Sequence, residues 1–109
     1  MKIPSKIRIG GHDIIIEMPE HLPDNILGDI CLAGGEIRIA KKFSDNEQSE
    51  TSMANTFIHE VVHGVLKTMG EYELNENERF VCTFASLLVD VIEEIVKVNK
   101  EESPNDKSE

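Results

Sequence analysis

The chain has no surplus of positive charge. Against 21 aspartates and glutamates stand only 11 lysines and arginines, a formal net charge of −10 over 109 residues. Such an acidic domain has no electrostatic reason to sit on phosphate backbones or anionic lipid, so nucleic-acid and membrane-surface binding are both disfavoured. Long hydrophobic runs are missing too; the run Ile14-Ile15-Ile16 is far too short for a bilayer. The opening Met1-Lys2-Ile3-Pro4-Ser5-Lys6 has no hydrophobic signal-peptide core, so a cytoplasmic location is expected. Only two cysteines occur, Cys31 and Cys82, and without a C-x-x-C spacing they make no zinc ribbon. Their apolar neighbours predict buried free thiols rather than a disulfide. There are no internal repeats.

What is present describes an ordinary globular domain. Hydrophobic residues make up 39% and charged residues 29%, enough for one modest core and too little chain for two. Residues 6–9 alternate polar and apolar, Gly10-Gly11 marks a turn, and residues 13–18, with the β-branched Ile14-Ile15-Ile16, read as the second strand. A proline-bearing loop over 19–25 precedes a third strand at 28–33. Gly34-Gly35 then signals a hairpin into Glu36-Ile37-Arg38-Ile39-Ala40, whose alternation suggests a half-exposed strand, possible as a sheet edge.

A polar linker over 41–50 leads to a helix capped by Ser49 or Thr51 and stopped by Gly70. Its apolar stripe of Ile58, Val61, Val62, Val65, Leu66 and Met69 is the expected core face. After an acidic connection a second helix is predicted over 76–98, with Phe80, Phe84, Leu87, Leu88, Val91, Ile92 and Ile95 on its apolar side. The expectation is an α+β domain over residues 1–98: a small antiparallel sheet of three or four strands, then two helices. Residues 99–109 are read as a polar, flexible tail.

The first helix carries His59-Glu60-Val61-Val62-His63, an H-E-x-x-H motif. Residues four apart share one helix face, so both imidazoles can reach one metal ion, expected to be zinc. Glu60, about 100° round the helix, is placed to act as a general base on water beside the metal. A catalytic zinc takes a third protein ligand. His12 and His21 lie upstream in strand and loop, and no histidine follows His63, so the extended motif with a third downstream histidine is absent. Among Glu71, Glu73, Glu76 and Glu78, the last has a helical anchor beside a packed face. It is the expected third ligand, with Glu76 as fallback.

The run from Ile58 to Gly64, followed by Glu78-Arg79-Phe80-Val81-Cys82-Thr83-Phe84-Ala85, resembles the small zinc peptidase-like proteins of bacteriophages and prophages. These are akin to the ImmA/IrrE group and, more broadly, to minimal gluzincins. The opening from Lys2 to Gly11 and the strand Glu36 to Ile39 are similar to the same proteins, and Val81-Cys82 stands where Ala-Asn is more usual. The resemblance implies a zincin-like fold, zinc, and hydrolysis of peptide bonds in a cytoplasmic protein, such as a repressor or other regulator. It also implies that an edge strand, taken here as Glu36 to Ala40, holds the extended substrate. Tyr72 and Arg79 are the candidates for stabilising the oxyanion, and the residues do not choose between them. A second reading stays open: a zinc-stabilised module that binds a regulatory protein without cutting it.

Overall fold

The computed structural model describes residues 1–107, with side chains to Glu101. Four strands form one sheet: β1 (Lys6–Ile9), β2 (His12–Glu17), β3 (Gly28–Cys31) and β4 (Glu36–Ile39). Their spatial order is β1-β2-β4-β3. The β1–β2 and β3–β4 pairs are antiparallel, but β2 and β4 run parallel, with Ile16 beside Ile37. The sheet is therefore mixed, which corrects the all-antiparallel expectation. The physical reason is the connection over 18–27, which carries the chain past the β4 position. It starts β3 at the far edge, and the hairpin then returns β4 into the gap.

That order also corrects the role given to Glu36–Ala40. Strand β4 is paired on both sides and has no free edge to offer a peptide. The free edge beside the helices belongs to β3. Two-residue strands β5 (Lys42–Phe43) and β6 (Asn46–Glu47) make a small hairpin within the segment read as polar linker. Its turn residue Ser44 adopts φ +56°, and its amide donates to Asn25 Oδ1, tying the hairpin to the Pro23–Asn25 turn.

Helix α1 (Glu50–Met69) starts where Ser49 accepts a hydrogen bond from the Ser52 amide, and ends at left-handed Gly70. It lies between two layers. Toward the sheet, Ala54, Phe57, Ile58 and Val62 join Ile14, Ile16, Ile37 and Ile39 in the core. On its other side packs α3 (Glu78–Lys107), with Val81, Ala85 and Val89 almost wholly buried. The predicted stripe on α1 is thus only partly inward, since Val65 and Met69 are exposed.

A short helix, α2 (Tyr72–Glu76), occupies the acidic connection. Helix α3 begins at Glu78 and its backbone continues past the predicted end at Val98 to Lys107, through the good helix formers Lys97, Lys100 and Glu101. The last two residues of the expected tail lie outside the described residues. Among the described residues, no helix is long and apolar enough to cross a membrane.

Candidate metal centre

His59 and His63 project from α1 toward the first turn of α3. Spaced four residues apart on one helix, their rings meet edge-on with centroids 4.8 Å apart. Glu78, the first residue of α3, lies across from both. Its Oε1 is 3.4 Å from His59 Nε2 and its Oε2 is 3.1 Å from His63 Nε2. The two imidazoles and the carboxylate expected from sequence therefore converge from two helices. Glu76, the fallback, ends α2 and lines neither cavity at this site. His12 and His21 are exposed, and His21 Nε2 faces the Ser44 carbonyl instead.

The other ring nitrogens are occupied as well. Asn75 Oδ1 in α2 lies 2.7 Å from His63 Nδ1. A carbonyl oxygen accepts, so Nδ1 donates its proton to Asn75, and Nε2 is the ring nitrogen available to a metal. Cys82 Sγ lies 3.8 Å from His59 Nδ1, within range of a weak hydrogen bond to sulfur. Cys82 is one turn after Glu78 and shares its face of α3. Both cysteines are free but exposed, which corrects the expectation that they are buried. For Cys82 the cause is its direction, into the cleft between helices rather than into the core.

His59, Glu78 and Cys82 each present a possible ligand atom within 4.8 Å of the others. Sulfur, however, approaches His59 from Nδ1, whereas Nε2 faces the carboxylate shared with His63. The two Nε2 atoms with Glu78 form the more coherent donor set, because one carboxylate faces both. Asn75 and Cys82 then hold the rings from behind, as partners of metal-bound histidines do. The donor set also matches the two-imidazole, one-carboxylate chemistry of zinc.

Glu60 lies beneath this group and is only 8% exposed. Burial pushes its carboxyl up to about 7; His63 pulls the other way, and Asp29 and Glu78 add to the rise. His59 is shifted down, chiefly by burial and then by His63, with Glu78 opposing. The wall above Glu60 is β3. A Cβ placed on Gly28 would come 2.6 Å from Thr56 Cγ2 and 3.6 Å from Glu60 Cγ, so only glycine lets the edge strand pack this closely on α1. Next to it, Arg38 Nε donates to Asp29 Oδ1 at 3.0 Å and Nη2 to Oδ2, fixing Asp29 at the rim.

Two cavities share Gly28, His59 and Glu60. One, of about 430 Å³, is the polar cleft holding His63, Asn75 and Glu78. The other, of about 550 Å³, has apolar walls from Ile26, Leu27, Phe43 and Ala85. Neither Tyr72 nor Arg79 lines either cavity; the cation that does is Lys67, in the last turn of α1. No protein-family model, curated protein or solved structure matches the chain.

Proposed function

We propose that this chain is a zinc-dependent endopeptidase of the minimal gluzincin kind, acting on an extended segment of a cytoplasmic protein. The observation that carries the proposal is the convergence of His59 Nε2 and His63 Nε2 on the two oxygens of Glu78, with buried Glu60 alongside. His59, His63 and Glu78 would hold the metal. Zinc there supplies a Lewis acid for the scissile carbonyl and acidifies water at neutral pH.

The remaining work falls to the chain itself. Glu60 takes a proton from the attacking water and returns it to the leaving amine. Glu60 acts as a base only as the carboxylate, the form that a cation held by the histidines would favour against the upward push of burial. Asn75 holds His63 in the tautomer that leaves Nε2 free. Strand β3 receives the peptide: the Ala40 amide donates to the Leu27 carbonyl, and antiparallel alternation then turns the backbone of Gly28 and Ile30 toward the free edge. A peptide added there lies over Glu60, and the cavity walled by Ile26, Leu27 and Phe43 accepts an apolar side chain next to the scissile bond.

One observation favours a different reading. Neither candidate oxyanion donor from sequence, Tyr72 or Arg79, lines the cleft. That suits a metal-stabilised module that captures a peptide along β3 without cutting it. Digestion of a peptide library by the zinc-loaded chain separates the two. The peptidase reading expects cleavage beside apolar residues, lost in Glu60→Gln while zinc stays bound. Equal cleavage by wild type and Glu60→Gln, or none by either, refutes it; peptide capture without cleavage favours the module.

A further inference from the structure

The longest element leaves an apolar stripe uncovered. On α3, Phe84, Leu87, Val91, Ile95 and Val98 are 46, 62, 54, 54 and 45% exposed, although the helix buries Val81, Ala85 and Val89 on the adjoining face. All but Val98 are residues that sequence periodicity places on the apolar side of the helix. At 100° per residue all five fall within about 40° either side of Val91, a narrow seam about 20 Å long.

The seam is symmetric in sequence. Leu87 and Ile95 lie four positions either side of Val91, and Phe84 and Val98 lie seven either side. We infer that this face pairs with the same face of a second copy, antiparallel, on a two-fold axis through Val91. That arrangement sets Val91 on Val91, Leu87 on Ile95 and Phe84 on Val98, so every residue of the seam meets another apolar residue, while Val96, 41% exposed, lies off it. Self-matching about one point is what a closed two-fold interface requires.

Charge selects the antiparallel direction. Each chain carries a net charge of −10, and a parallel pair would hold both acidic bodies side by side. Antiparallel pairing sends them to opposite ends and opposes the two helix dipoles. Along one flank of the seam it also brings Arg79 near Glu101 of the second copy. The same flank brings Asp90 near Glu94 of the second copy, which offsets that pair, so the −10 on each chain decides and added salt should strengthen association. With each residue about half exposed, the five offer on the order of 400–500 Å² of apolar surface per copy. Pairing covers about 800–1,000 Å² in total at full contact, the size of a weak, reversible interface. The metal centre lies on the α1 side of α3 and stays open in such a dimer.

Sedimentation equilibrium on the full chain tests the pairing, with circular dichroism to verify folding. The expected result is twice the chain mass at micromolar concentrations. Val91→Glu, which puts two like charges on the axis, should raise the dissociation constant by about 30-fold or more, as for a central hot spot. Met69→Glu, an equally drastic change at an exposed residue of α1, should leave it unchanged. Direction is read by oxidative crosslinking in a Cys31→Ser, Cys82→Ser background. Leu87→Cys and Ile95→Cys chains should crosslink to each other when mixed and neither to itself. A wild-type monomer throughout, an equal effect of Met69→Glu, self-crosslinking, or no crosslink at all overturns the inference.

Discussion

Glu60 should make the metal-free chain lose stability as pH rises, and Glu60→Gln should remove the loss. The carboxyl is 8% exposed and its pKa is pushed up from 4.5 to about 7. A raised carboxyl pKa means that the folded state holds the proton more tightly than the unfolded state. Between pH 4.5 and 7 the folded chain therefore binds more protons, and its stability falls as pH rises. The contribution is complete below pH 4.5 and gone above about 7. At 1.36 kcal/mol per pH unit the difference is on the order of 3 kcal/mol. Glutamine keeps the shape without an ionisable proton. Urea denaturation with chelator present, at several pH values across this window, gives the stability of each chain. The gap between Glu60→Gln and wild type should widen in favour of the variant by about that amount from pH 4.5 to 7. Titration of His59 acts in the opposite direction but is present in both chains, so it largely cancels from the gap. Bound zinc should narrow the gap, because a nearby cation favours the carboxylate. A gap that stays flat with pH in the metal-free chain refutes the claim that Glu60 is held out of water.

Asn75→Ala removes the partner of His63 Nδ1, and zinc affinity should fall about 10–100-fold by competition with a chelating dye while the fold persists. Gly28→Ala pushes a methyl into Thr56 Cγ2 at 2.6 Å and the Arg38 carbonyl at 2.9 Å, so thermal unfolding should show a loss of about 1–3 kcal/mol. Ser49→Ala deletes the side-chain acceptor for the Ser52 amide and should cost about 1 kcal/mol by denaturant titration, without changing metal affinity.

The local signals were the legible ones. Ser49 and Gly70 bound α1 as their chemistry requires, and alternation placed Ile37 and Ile39 inward. The spacing of four between His59 and His63, with a helical carboxylate after the turn, pointed to the residues that converge. What escaped depends on contacts between distant segments. Nothing near Glu36–Ile39 says that β3 will lie outside β4, since a strand with one polar face fits an edge or an interior position equally well. Asn75 stands in a connection without periodicity, and only the fold of α2 brings it to His63. Cys82 could be tied to Glu78 by its spacing of four, but its apolar neighbours suggested burial. On α3, Phe84, Leu87, Val91 and Ile95 follow a core-like period without facing this chain's core, a case where pattern marks a surface rather than an interior.

His59, His63 and Glu78 should together hold one zinc ion. Elemental analysis of the zinc content per chain, after dialysis against limiting free zinc, reads this without any substrate. One zinc is expected per wild-type chain and one per Glu60→Gln chain, with His63→Ala and Glu78→Ala each losing it. No zinc in the folded wild type, or a full equivalent retained in His63→Ala, would contradict it.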